Sequence, residues 1–364
     1  GARSVMTAYS SIDGVPCTMN DYLLGEVLRG EWGFDGFVIS DLFSIEGLYQ
    51  THGVATSVDD AARKALTAGV DADLCGEAYL TLIESVRKGL VDPALIDRAA
   101  ERVLRLKFEM GLFENPYVDV DGCTSGSDAH RQTTLEVARQ SIVLLENNGI
   151  LPLSAGKGTV ALIGPNADSR KALLGNYEGT ASRYTTVLEG IEDYLGDDVK
   201  VRYSQGCHLY ADNIHGLAES NELMSEVKGV CEESDVVIAV LGLDAGLEGE
   251  EGDQGNQFAS GDKPNLKLPG HQEEVLKACV ESGKPVVLVL LGGSALAVNY
   301  ADEHASAILE AWYPGARGGE AVARALFGET NPQGKLPVTF YHSDRDLPEF
   351  TDYAMKGRTY RYME

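Results

Sequence analysis

The run Phe37-Val38-Ile39 is apolar enough for a strand covered on both faces of a parallel sheet, and it ends in Ser40 and Asp41. A carboxylate there stands at the edge where α/β proteins gather their ligands. Far downstream, the apolar run 235–242 leads into LDAGLEGEEGDQGNQFASGDKPNLKLPG, residues 243–270, which carries Glu248, Glu250, Glu251, Asp253 and Asp262. A strand-to-helix link usually takes about two to six residues, so a loop this long reads as functional or disordered. Two carboxylates brought together from separate domains are the minimum apparatus for splitting a glycosidic bond: one attacks the anomeric carbon, the other protonates the departing oxygen. Crowded carboxylates also raise the pKa of at least one of their number, which suits a general acid. A metal site is the rival chemistry, but the 7 histidines show no paired spacing. The D-x-D-G fragment at 119–122 lacks the third acidic ligand and closing Glu of a calcium loop. No metal and no cofactor is expected. For Asp41 alone, the plain alternative is a helix N-cap or turn residue after a strand.

The elements that must position these acids alternate between strand-like and helical runs. VMTAYS (5–10), GFVISD (36–41) and DADLC (71–75) read as strands. NDYLLGEVLRGEWG (20–33), DDAARKALTAG (59–69) and YLTLIESVRKG (79–89) read as helices. PALIDRAAERVLRLKFEMG (93–111) is an amphipathic helix with proline near its start and glycine at its close. This first unit is expected over 1–111. Residues 112–130, poor in aliphatics and rich in Asp, Gly and Ser, are expected to link it to a second α/β series over 131–364. In that series a helix is expected through HRQTTLEVARQSIVLLENNG. Strands are expected at 159–165, 199–206, 235–242, 285–293 and 305–312, with helices at 186–196, before Ser234 and at 271–283. Strands so apolar imply a three-layer αβα sandwich.

With 364 residues, 44% of them apolar, the chain can bury large cores in two or more domains. Thirty basic against 56 acidic residues give a formal charge of −26, a field that repels nucleic acid and anionic membranes but that a neutral sugar hardly feels. Six cysteines, widely spaced and without a C-x-x-C pair, read as free thiols. No apolar run approaches the roughly 18 residues of a membrane span. The sequence opens on Gly1 without a signal-like segment, and compartment is left open between periplasmic, secreted and cytoplasmic. PGARGG (314–319) lacks the G-x-x-x-x-G-K-[ST] pattern of a phosphate loop, and VALIGPNAD lacks G-x-G-x-x-G, so nucleotide binding is not expected.

VMTAYSSIDGVPCTMNDYLL followed by LRGEWGFDGFVISD resembles the nucleophile block of glycoside hydrolase family 3, in its two-domain β-glucosidase and β-xylosidase branch. Further segments similar to that family are RVLRLKFEMGLFENPY, ARQSIVLLENNGILPL, LPGHQEEVL, WYPGARGGEAVARALFGETNPQGKLPVTF and GRTYRY. The resemblance implies the C-terminal part of a (β/α)8 TIM barrel followed by an αβα sandwich, with the 243–270 loop overhanging Asp41. It implies a retaining, exo-acting β-glycosidase with Asp41 as nucleophile. Tyr9 matches the family tyrosine beside the nucleophile, where a phenol can hydrogen-bond the carboxylate; Met6, further back on the same strand, is read as a candidate to line the sugar pocket. Core packing is the alternative for both. D-A-G-L resembles the lead-in to the family's acid/base glutamate, which makes Glu248 the first choice, with Glu251 and Glu250 as alternates. Asp262 and Lys263 stand where many relatives have an Asp-Arg pair and are read as anchoring the loop's return leg. Leu42 replaces the tryptophan that often follows the nucleophile. The chain is read as opening at the sixth barrel strand, the missing barrel half coming from the same longer polypeptide or another chain. The partner expected is an oligosaccharide or small glycoside, without nucleic acid or membrane, and a homodimer is left open. Two alternatives stand beside glucoside hydrolysis: a β-xylosidase of the same family, and a non-catalytic carbohydrate-binding or assembly fragment.

Overall fold

The computed structural model describes residues 1–156, 158–211, 223–248, 263–349, 352 and 356–362. The chain divides into two compact units, Gly1–Cys123 and Thr124–Glu364, each α/β.

In the first unit, β1 (Ser4–Met6) pairs in parallel with β2 (Phe37–Ile39), and Ile39 bridges in parallel to Ala72. Helices run between and after them: α1 (Tyr22–Glu31), α2 (Ser44–Gln50), α3 (Val58–Ala68) and α4 (Pro93–Glu109). This strand-helix succession is the wall of a (β/α) barrel. Local chemistry fixes the helix ends. Ser57 accepts from the Asp60 N–H at the start of α3, whose first turn also carries Asp59, and Gly69 closes the helix in the left-handed region. Asp92 caps α4 and Pro93 opens it. α1 departs from an ordinary α-helix: it is wound as a π-helix, and the Trp32 N–H reaches back five residues to the Val27 carbonyl. Strand β1 is also shorter than its apolar run, so Tyr9 falls beyond its end.

A buried ion triad braces β2. The Asp71 carboxylate accepts from Arg29 Nη2 and Arg102 Nη1, each at 2.8 Å, and from the Val38 N–H at 2.9 Å. Burial lowers the Arg29 pKa, Arg102 and Arg98 lower it further, and Asp71 opposes them. Asp71→Asn would leave two guanidinium groups enclosed without their counter-charge, and about 3 kcal/mol of stability should be lost. Urea unfolding of the variant checks this, and an unchanged midpoint would contradict it.

The second unit begins with α5 (Asp128–Ser141), followed by β3 (Val143–Asn147), β4 (Gly158–Ile163), α6 (Val187–Leu195), β5 (Val199–Ser204), α7 (Met224–Glu232) and β6 (Val236–Gly242). It continues with the single turn α8 (Ala245–Glu248), then α9 (Gln272–Glu281), β7 (Val286–Leu291), α10 (Asn299–His304), β8 (Ala307–Glu310) and α11 (Gly318–Leu326). The sheet order is β3-β8-β7-β6-β4-β5, with β3 antiparallel and the other strands parallel. Alternate residues of β6 and β7 feed two cores. Ile238, Val240, Val287 and Val289 face α5, α6 and α11, whereas Val237, Ala239, Leu288 and Leu290 face α7 and α9. This is the three-layer sandwich.

One expectation is corrected. The helix anticipated through residue 149 stops at Ser141, and Val143–Asn147 becomes the antiparallel edge strand. The apolar IVLL run buries Ile142 and pairs with β8, gains that outweigh helical continuation. The Trp312 indole N–H takes the Ser141 carbonyl, and the Gly334 N–H takes that of Ile142, so the break leaves neither acceptor unpaired. PGARGG opens α11. Gly315 has φ +79°, and a Cβ on Gly319 would lie 1.7 Å from the Thr186 carbonyl oxygen, so both positions require glycine.

Candidate active site

Asp41 and Glu248 belong to different units, and each is built by its own surroundings. Asp41 follows β2 at the C-terminal edge. The Ser40 N–H bonds the Ala72 carbonyl at 2.9 Å, and the Ser40 hydroxyl accepts from the Leu74 N–H at 2.9 Å, so the strand end is fixed from below. The Asp41 carboxylate accepts from the Leu42 N–H at 2.7 Å. It does not cap α2: the residue before that helix is Phe43, in the left-handed region at φ +54° and without a side-chain cap bond. Cys75, in the neighbouring strand-end turn, sits at φ +56°. Non-glycine residues so placed cost on the order of 1 kcal/mol or more and concentrate where geometry serves function.

Tyr9 donates its hydroxyl to the Leu42 carbonyl at 2.7 Å, which brings the phenol to the residue following Asp41. His52 bonds the Tyr9 carbonyl at 2.8 Å from Nε2. Met6 and Tyr9 are 55% and 54% exposed, so neither fills the core of its unit. Asp73 lies beneath, its pKa raised by burial and by Glu46, with the Tyr79 and Ala78 N–H groups and Ser40 opposing the shift. It is a titratable neighbour that the sequence reading passed over.

In the sandwich, the strand ends carry a second cluster. Glu248 closes α8 just after β6. Its Oε2 accepts from the Gly293 N–H at 2.5 Å and from the Tyr313 hydroxyl, and its Oε1 accepts from the Ser294 hydroxyl. Lys263 donates to the Ala295 carbonyl. Glu310 ends β8 fully buried, with Oε1 accepting from the Trp312 N–H at 2.9 Å. Burial, with Glu248 adding to it, pushes the Glu310 carboxyl up to about 8. Burial lowers the Lys263 pKa against the pull of Glu248, Glu310 and Asp344. Sequence reading missed Ser294, Glu310 and Tyr313. They lie at the ends of successive parallel strands, and that shared edge was the signal available.

At the switch point between β4 and β6, where a doubly wound sheet would take a nucleotide, buried Asn166 donates its amide to the Leu243 carbonyl at 2.7 Å. Among the described residues no cluster of three or more His, Cys, Asp or Glu could hold a metal, and no helix is long and apolar enough to cross a membrane. Glu250, Glu251 and Asp262, and with them residues 249–262 of the loop expected to overhang Asp41, lie outside the described residues.

A barrel-wall unit followed by an αβα sandwich, each with carboxylates at its parallel strand ends, defines a two-unit α/β protein. Residues 1–106 match the model of the glycosyl hydrolase family 3 N terminal domain and residues 142–364 that of the glycosyl hydrolase family 3 C-terminal domain; the chain belongs to glycoside hydrolase family 3. It is 36% identical over 384 residues to the periplasmic beta-glucosidase of Salmonella typhimurium, covering 99% of this chain and 49% of that protein. A beta-xylosidase of Formosa agariphila is also 36% identical, over 387 residues, covering 100% and 51%. The crystal structure of the Listeria innocua beta-glucosidase in complex with isofagomine superposes with TM-score 0.82 at 32% identity, covering 99% of this chain and 48% of that one. The chain thus spans about half the length of the curated relatives it matches.

Proposed function

We propose that this chain carries the carboxylates of a retaining, exo-acting β-glycosidase that hydrolyses terminal β-D-glucosyl residues of oligosaccharides or aryl glucosides. Asp41 attacks the anomeric carbon while a glutamate drawn from Glu248, Glu250 and Glu251 gives its proton to the departing oxygen. The same glutamate then takes a proton from water, which attacks the anomeric carbon and releases Asp41. Tyr9 and Met6 are assigned to the sugar pocket. The observation that carries the reading is Asp41 itself: a strand-end carboxylate, left free of helix capping by a strained turn, inside the residues matched to the family's N-terminal domain.

Hydrolysis of β-D-xylosides is the second reading, favoured by the 36% identity to a beta-xylosidase, equal to that with the beta-glucosidase. Incubation of the intact parent protein, with the barrel half expected to complete the pocket, with a 2-deoxy-2-fluoroglucoside bearing a dinitrophenyl leaving group should label Asp41, as located by peptide mass spectrometry. A panel of nitrophenyl β-glucoside and β-xyloside separates the two substrate classes. Label on neither Asp41 nor any other carboxylate, from the fluoroglucoside or from its 2-deoxy-2-fluoroxyloside counterpart, would sink the enzyme reading and favour a non-catalytic carbohydrate-binding fragment.

A further inference from the structure

Three glutamates compete for the acid/base role, and the surroundings of Glu248 bear on the choice. Both of its carboxylate oxygens are occupied by donors of its own unit. The Gly293 N–H and the Tyr313 hydroxyl meet Oε2, and the Ser294 hydroxyl meets Oε1. A group that delivers a proton to a leaving oxygen must present a free carboxyl oxygen to the substrate and alternate between protonated and bare forms. A carboxylate that accepts from three sides is arranged as an acceptor.

The donors are themselves fixed. A Cβ on Gly293 would fall 3.0 Å from Glu248 Oε2 and 2.9 Å from the Tyr313 ring, so only glycine lets the three groups meet. Trp312, in the left-handed region at φ +59°, sets the backbone turn immediately before Tyr313. Burial, reinforced by the Glu248 charge, drives the Tyr313 phenol far above its ordinary value, so it keeps its proton and remains a donor at any working pH. The contacts of Glu248 and of Lys263 converge on one turn: Glu248 on Gly293 and Ser294, Lys263 on the Ala295 carbonyl.

We propose that Glu248, gripped by Gly293, Ser294 and Tyr313, is a positioning residue that anchors the chain following β6 to the turn after β7, and that it is not the proton-exchanging group of the reaction. This inference rests on the glycosidase reading above. The proton exchange then falls to Glu250 or Glu251, which the same acidic run supplies.

Azide rescue, pH profiles and amide exchange on the full chain decide the matter. With dinitrophenyl β-glucoside, loss of the true acid/base leaves glycosylation intact. Azide then attacks the anomeric carbon, expels the Asp41 carboxylate and gives the β-glycosyl azide without needing a general base. Glu248→Ala should give no such product, and Glu250→Ala or Glu251→Ala should. Glu248→Gln and Tyr313→Phe should each lower kcat by about 10²-fold through misplacement, with KM little changed and the basic limb of the pH profile kept. A merely structural role would not move kcat alone. Glycosyl azide from Glu248→Ala, or a lost basic limb in Glu248→Gln beside a normal Tyr313→Phe, would overturn the proposal. The Gly293 amide gives a readout independent of turnover: its hydrogen exchange should quicken roughly fivefold or more in Glu248→Ala, and an unchanged rate would also overturn the anchor. Absence of both fluoroglucosyl and fluoroxylosyl label on Asp41 in the unaltered parent protein would instead be a failure of the glycosidase reading, and the anchor would then be decided by the Gly293 exchange alone.

Discussion

On the proposed retaining mechanism, replacing Asp41 with alanine should lower turnover of every substrate by about 10⁴-fold or more, because that mechanism has no covalent glycosyl-enzyme without it. The leaving group makes no difference to this outcome, which separates a nucleophile from an acid/base whose loss a good leaving group masks. Stereochemistry gives a second, sharper readout. In Asp41→Ala, azide can enter the space of the missing carboxylate and displace dinitrophenolate directly from a β-glucoside, giving the α-glycosyl azide in a single inversion. With the acid/base removed and Asp41 kept, two inversions give the β-azide. Proton NMR of the product distinguishes them. A β-azide from Asp41→Ala would place the nucleophile elsewhere, and near-normal hydrolysis by the variant would remove Asp41 from the chemistry. The variant should fold, since among the described residues the Asp41 carboxylate accepts only from the adjacent Leu42 N–H, while the strand beneath it is held by Asp71.

How much of this was readable in the residues depended on how far apart the partners lie. Strands such as VVIAVLG and VVLVLL declare themselves by composition because both faces are covered, and helices such as Val58–Ala68 by their caps. Asp41 could be singled out as a candidate because its strand, its turn and its family block are contiguous in the sequence. The end of α5 was not legible: IVLL carries apolar residues that serve a helix or a strand, and only pairing with β8, distant in sequence, settles which. The grip on Glu248 was hidden for the same reason. Ser294 and Tyr313 lie 46 and 65 positions away and carry no local pattern, and they meet Glu248 only because β6, β7 and β8 are neighbours in the sheet. The Asp71 triad likewise joins α1, β2 and α4 across 42 and 31 positions. Spacing along the chain reveals what one element does by itself; sheet order is needed for side chains that meet at strand ends.

Glu310→Gln should stabilise the protein against unfolding at alkaline pH and leave it nearly unchanged in acid. Glu310 is fully buried at the end of β8, and its Oε2 has no hydrogen-bond partner among the described residues. Burial is the main cause that lifts its carboxyl from 4.5 to about 8, Glu248 adds to the rise, and the Trp312 N–H and Lys263 oppose it. The native chain therefore holds a proton that the unfolded chain releases above about 4.5. The contribution of this group to stability is complete below that pH and is lost as pH climbs through about 8, at up to about 1.4 kcal/mol per pH unit between the two. Glutamine cannot titrate, yet its carbonyl can still accept from Trp312. The difference in unfolding free energy, variant minus native, should thus be small near pH 4.5, grow to a few kcal/mol by pH 8 and then level off. Urea titrations of both proteins across that range measure it directly. A difference that stays flat would mean that the Lys263 ammonium keeps Glu310 ionised throughout. Lys263→Met supplies the cross-check, since removing the opposing charge should carry the upper break to higher pH.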